Sequence, residues 1–391
     1  MNAILPEKYQ FYDPNVDLPD YDFFSPDVET DTREIVDDLT KAGFTDVYSR
    51  IGIHEGTKKI LVNFRPIADI TALDPELNGI FMKRAVVKEG LYYTDPDILR
   101  MMMYLELSRP KGMIERWNKV LERLQLINSV FPLGLVGARS NKTQKVSVRG
   151  LSSPHVPLVL RQLLVEYCVQ SGRILLSGPI EKIYERGIRG KKMTYEVKHV
   201  GGPVIFFTPA LMDDAKMLKV LLSNADATVN ASDITLYLHK QRGDIVNTRI
   251  EIRLGKMPVA LIVAESACHA YNTVPFRKGR TALIASPETM ITEYLAQAIF
   301  TKSDANLYEI PPMVRAKKCL ALAEKNYRAE HSVFPAFASI CKGYQKGFPT
   351  LLKEKLARTK KEKELASLTQ RKRSHTASKK KRSSTLKVVG K

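Results

Sequence analysis

The stretch Leu18-Pro19-Asp20-Tyr21-Asp22-Phe23-Phe24-Ser25 sets two carboxylates two residues apart among apolar and aromatic neighbours. Read as a strand, its period of two puts Asp20 and Asp22 on one face, roughly 7 Å apart. Such a pair can share divalent cations, and hard cations such as Mg2+ need more oxygens, best drawn from a neighbouring strand. The β-rich run 59–70 holds one acid, Asp69, between Ala68 and Ile70. Asp69 is the candidate third carboxylate; a capped strand end or an ion pair with Arg65 would also explain it.

Other acids alternate without that setting. Asp27, Glu29 and Asp31 lack apolar flanks and read as a solvated helix entry, with N-caps at Thr30-Asp31-Thr32 and a stop at Gly43. Asp95-Pro96-Asp97 opens another helix, whose apolar face is read as Ile98, Leu99, Met102, Met103 and Leu105. Residues 47–53 and 59–70 read as an antiparallel pair joined at His54-Glu55-Gly56-Thr57.

At 391 residues, 44% of them hydrophobic, the chain has room for two domains with cores. It has no apolar run of membrane-spanning length and no secretory-type N-terminus. Cys168, Cys268, Cys319 and Cys341 are widely spaced, which suggests a reducing compartment and no structural zinc. The formal charge is +19, of which residues 351–391 carry +12 through fifteen Lys and Arg against three acids. The remaining +7 still suits a protein that handles a polyanion.

LPDYDFFSPD, a helical segment ending in AGF, HEGTKKILVNFRPIADIT and GLYYTDPDILRMMMYLELSRPKGMIERWNKVLERL follow one another in a characteristic order. Together they resemble the poly(A) polymerase catalytic subunit of nucleocytoplasmic large DNA viruses, within the polymerase-β-like nucleotidyltransferases. The resemblance covers about residues 1–130, and YLELSRPKG…RW is its most specific part.

The resemblance implies an α+β fold with a nucleotidyltransferase domain over 1–130 and a second, catalytically empty copy over 158–350; by composition the Gly-, Ser- and Pro-rich stretch 131–157 reads as the linker and 351–391 as a basic tail. Residues 351–366 could form a charged helix; from Arg371 the composition predicts disorder. It implies adenylyl transfer from ATP to RNA 3′ ends, with Asp20, Asp22 and Asp69 as catalytic residues and ligands of two Mg2+ or Mn2+ ions. Arg109, Arg116 or Lys119 would meet phosphates of ATP or RNA, although a solvated basic face explains them too. Lys191, Lys192, Arg277, Lys278 and Arg280 are basic turns that could hold RNA or simply keep the surface solvated. A homodimer or a processivity subunit would be a further partner, no membrane is implied, and the place of action would be the cytoplasmic viral factory and the virion.

In the family a glycine-rich loop, whose N–H groups hold the triphosphate, precedes the equivalent of Ala3-Ile4-Leu5-Pro6. Here Met1 stands just ahead of that segment. Either the product is longer, or the chain is a pseudoenzyme kept for RNA binding. A different nucleotidyltransferase and a purely structural basic protein are the remaining classes. The last offers no reason for three acids in apolar strands.

Overall fold

The computed structural model describes residues 1–13, 16–17, 21–133, 156–197, 202–225, 230–243, 245–301 and 311–384. Contacts divide the chain into two units: residues 12–74 with 346–391, and residues 1–11 with 75–345. This division differs from a boundary at 131–157, of which residues 134–155 lie outside the described residues.

The smaller unit is built on β1 (Tyr21–Ser25), α1 (Val28–Lys41), β2 (Val47–Ile51), β3 (Thr57–Val62) and β4 (Arg65–Ala72). The strands form a sheet in the order β1-β4-β3-β2, with β1 parallel to β4 and the other pairs antiparallel. Val28, Ile35, Val36 and Leu39 of α1 pack on Ile60, Ala68 and Ile70, which are nearly inaccessible. Each fully buried aliphatic side chain contributes roughly 1.5–3 kcal/mol. The N-cap of α1 is Asp27, whose carboxylate accepts from Thr30 N, one turn before the Thr30 start read from sequence; Glu29 and Asp31 lie in the first turn, as a helix entry requires.

The run 59–70 is not one strand. It turns back at Asn63 and Phe64, both at positive φ (+49° and +65°), and becomes the hairpin β3–β4. Two consecutive left-handed residues are what a tight two-residue hairpin turn demands, and Asn63 is the residue that tolerates it.

The long helix Phe348–Ser384 also belongs to this unit. It continues past residue 366, through the stretch where composition predicts disorder. Lys, Arg, Glu and Leu dominate its first half, and all four favour helix. Arg358 donates to Ile53 O (3.0 Å), and Lys58 is held between Glu29 of α1 and Glu362 of the helix (2.6 and 3.2 Å).

The larger unit begins with α2 (Pro75–Arg84), the hairpin β5 (Val86–Lys88) and β6 (Leu91–Tyr93), α3 (Pro96–Leu107) and α4 (Trp117–Val130). It continues through α5 (Leu158–Gln170), β7 (Ile174–Leu175), α6 (Ile180–Ile188), β8 (Val204–Thr208), α7 (Leu211–Ser223), β9 (Ile234–His239), β10 (Arg249–Leu254) and β11 (Met257–Ala264). β12 (His269–Pro275), β13 (Thr281–Ala285), α8 (Pro287–Phe300), α9 (Pro312–Tyr327) and β14 (Cys341–Lys342) complete it. Among the described residues its main sheet runs β14-β12-β13-β7-β8-β11-β10-β9. β8 and β11 form its buried centre, as their unbroken apolar runs require.

The helix cap at Asp95 is as read from sequence: its carboxylate accepts from Asp97 N (2.7 Å) and Ile98 N (3.2 Å), with Pro96 at the first helical position. The buried face of α3 is different: Ile98, Met101, Tyr104 and Leu107 are covered, while Met102 is exposed. That face packs on α8. It also buries Arg100, which pairs with Asp97 and donates to Asn128 Oδ1. Cys268 and Cys341, 73 residues apart, are joined in a disulfide because β14 pairs with β12 beside it. Spacing along the chain carried no trace of that proximity. Among the described residues no helix is long and apolar enough to cross a membrane.

Candidate active site

Strand register assembles the site. β1 pairs Asp22 with Asp69, β4 pairs Asp69 with Lys59, and β3 pairs Lys59 with Arg50. Laterally paired residues point to the same side of a sheet. Asp22, Asp69, Lys59 and Arg50 therefore form one row across all four strands. The row lies on the face opposite α1, since the alternate residues Ile60, Ala68 and Ile70 point into the core. Its two ends, Asp22 and Arg50, are exposed; Asp69 and Lys59 are half-buried between them.

Lys59 Nζ stands 2.6 Å from both oxygens of Asp69. The ion pair therefore runs across the strands to Lys59 and not along β4 to Arg65. Asp20, the remaining member of the acidic set, lies outside the described residues.

Among the described residues no group of three or more His, Cys, Asp and Glu side chains could hold a metal ion, and the row itself offers two acids. Asp22 and Asp69 sit on adjacent strands about 4.8 Å apart, close enough for both carboxylates to reach one ion. A cationic group, the Lys59 ammonium, already rests on Asp69, so the position attracts positive charge.

The other candidates lie in the larger unit. The Arg109 guanidinium is held below its usual pKa by burial, and among the described residues it has no acid partner. His269 lies near it, stacked on Phe207 with ring centroids 4.0 Å apart. Burial first, and then the Arg109 charge, push His269 down to about 3. Arg116 precedes α4 and reaches Glu106 at 3.5 Å; Lys119 is exposed on the first turn of that helix.

Lys191 and Lys192 are exposed on an irregular segment. Arg277 and Arg280 both clamp Glu166, Arg280 at 2.6 Å. Burial opposes the ionised Glu166, but the bonds from Arg280 and Arg277 outweigh it and hold the carboxyl below its ordinary range. The turn's remaining cation, Lys278, is exposed. Sequence reasoning missed Lys59 and Arg50. Counting back from the His54–Thr57 turn would have aligned them with Asp69, had the second turn at Asn63-Phe64 been seen.

Residues 1–113 match the family model described as poly(A) polymerase catalytic subunit. A protein of African swine fever virus named as that subunit is 27% identical over 138 residues, which is 34% of this chain and 29% of the relative. One from Acanthamoeba polyphaga mimivirus is 27% identical over 127 residues, 32% of this chain and 21% of the relative. The matches thus span less than a third of each curated relative. The fold is similar to that of the Megavirus polyadenylate synthase, with a TM-score of 0.68 at 16% identity over 91% of this chain and 71% of that one. The resemblance read from the motifs is therefore borne out: residues 1–113 match the viral poly(A) polymerase catalytic subunit family, and the α+β fold is similar to that of a viral polyadenylate synthase.

Proposed function

We propose that the chain adds AMP from ATP to RNA 3′ ends without a template. The observation that carries this reading is the register match of Asp22 with Asp69 on parallel strands β1 and β4, on the open face of the sheet. In the reaction the RNA 3′-oxygen bonds to the α-phosphorus of ATP, the bond from that phosphorus to the bridging oxygen breaks, and pyrophosphate leaves. Asp20, Asp22 and Asp69 would hold two Mg2+ or Mn2+ ions, which supply neutralisation of phosphate charge and activation of the hydroxyl. Asp69 takes up the proton of the 3′-hydroxyl. Positioning and charge, not covalent chemistry on the protein, carry the rate. In the larger unit, Arg109, Arg116 and Lys119 would meet phosphates, and Lys191, Lys192 and Lys278, with Arg277 and Arg280 when released from Glu166, would grip RNA. ATP specificity rests on the family resemblance.

The test is extension of a labelled RNA primer with ATP and Mg2+, by this chain and by a form extended upstream, each with and without Asp22→Ala. Incorporation of AMP that Asp22→Ala abolishes supports the reading. RNA binding without any incorporation from either form would overturn it in favour of a non-catalytic RNA-binding subunit.

A further inference from the structure

The row does not end at the carboxylates. Beyond Asp69 it continues into Lys59 and Arg50, and the long helix Phe348–Ser384 brings two more cations to the same place. Arg358 donates to Ile53 O just past the end of β2, and its Nε is buried with no partner among the described residues. Lys355, one turn earlier on the same side of the helix, lies within the field of Arg50 and Lys59. Glu362, one turn later, holds Lys58 at 3.2 Å and fixes the helix from its other end. Positions 355, 358 and 362 thus form one stripe facing the β2–β3 side of the sheet.

Four cations converge there: Arg50, Lys59, Lys355 and Arg358. Lys59 has Asp69, and Arg358 has backbone carbonyls. Among the described residues Arg50 and Lys355 have no acid partner. The Lys355 ammonium is held below its usual pKa by burial, and then by Arg50, Lys59 and Arg358. A fold does not gather like charges on an open sheet face without cost. An anion laid across Arg50 and Lys355 removes that cost.

We propose that Arg50 and Lys355, the two cations of this cluster with no acid partner among the described residues, form a site for the phosphodiester backbone of the RNA strand next to its reacting 3′ end. The choice of RNA over the triphosphate rests on the proposed function. Asp69 faces the attacking hydroxyl in that reading, and the cations lie on the side of Asp69 away from Asp22. The attacking strand and the leaving pyrophosphate occupy opposite sides of the phosphorus in an in-line displacement. What lies beyond Asp69 is then the strand that carries the hydroxyl. Each strand of the sheet adds about 4.8 Å, so Arg50 stands roughly 10 Å from the reacting end, the reach of the last phosphates of the primer.

The experiment is fluorescence anisotropy of a labelled single-stranded RNA over a range of salt, without divalent ions, on the full chain and on Arg50→Gln, Lys355→Gln and the double variant. The KM for ATP and for primer is measured on the same proteins. Each single variant is expected to weaken RNA binding several-fold and to lower the log–log salt slope by about 0.7, the release expected for one single-strand phosphate contact. Arg50→Lys and Lys355→Arg should restore the slope, and the KM for ATP should not move. An unchanged salt slope, or no RNA binding by the unmodified chain, overturns the proposal. A raised KM for ATP with an unchanged slope does so in favour of a triphosphate site. Loss of slope in a chain that incorporates no AMP would leave the RNA site standing and remove the catalytic reading, so the two fail separately.

Discussion

Lys59 Nζ lies 2.6 Å from both carboxylate oxygens of Asp69, across the β3–β4 ladder, and Asp22 is Asp69's register partner on its other side. One carboxylate is thus shared between a lysine and the position where a divalent cation would be held. Both partners are about a quarter exposed (26% and 27%), so solvent screens the pair and it is worth no more than about 1 kcal/mol. A cation of higher charge can displace it.

Lys59→Met should therefore bind Mn2+ more tightly, by about 5-fold if the lysine contributes about 1 kcal/mol of competition. Electron paramagnetic resonance of free Mn2+ reads this directly, without RNA or ATP. An unchanged or weaker affinity would mean that Lys59 does not compete for Asp69.

Asp22→Ala and Asp69→Asn should each reduce AMP incorporation by at least about 100-fold, the scale on which charge-stabilising groups act. Their effects on stability should differ. Asp22 is exposed, so replacing it opens no buried cavity. Asp69→Asn leaves the half-buried Lys59 without its counter-charge and should cost more. Urea unfolding of the two variants separates a catalytic loss from a folding loss.

The acidic row was only partly legible in the sequence. The spacing of Asp20 and Asp22 and the apolar flanks of Asp69 marked the carboxylates, because a strand's period of two is written along the chain. What lies beside them is set by register between strands, and register depends on where the turns fall. The turn at Asn63-Phe64 has no glycine or proline, so the run 59–70 read as one strand and the partnership with Lys59 and Arg50 stayed hidden. The same holds on a larger scale. The periodicity of α3 announces an amphipathic helix but not that it packs on α8, in the unit that also holds residues 158–345.

Phe64 illustrates the cost of that turn. It sits at φ +65° and is 76% exposed, with an edge contact to Tyr48 as its ring interaction. A left-handed backbone costs an L-residue roughly 1–2 kcal/mol, more than one exposed ring contact returns. Phe64→Gly, which makes the favoured Asn-Gly turn, should raise stability by about 0.5–1 kcal/mol, seen as a higher urea midpoint with unchanged slope. A lower midpoint would show that the Tyr48 contact outweighs the backbone.

His269 should make stability depend on pH. Its folded pKa is about 3 against an ordinary 6.5. Between those values the unfolded chain binds a proton that the folded chain refuses, so stability falls as pH drops from 6.5 towards 3 and is unaffected by this group above 6.5. His269→Phe should flatten the difference between urea midpoints measured at pH 7.5 and pH 5. If the variant keeps the full difference, His269 is not its source.

The smaller unit is assembled from two segments separated by residues 75–345. During synthesis the four strands leave the ribosome early, while the helix that delivers Arg358 to the end of β2 follows only after the whole of the larger unit. Until then β2 is an uncovered sheet edge, open to pairing with another nascent chain. The helix is therefore a late-arriving guard as well as a carrier of charge. A chain stopped before residue 346 should be prone to self-association even with every carboxylate of its sheet in place.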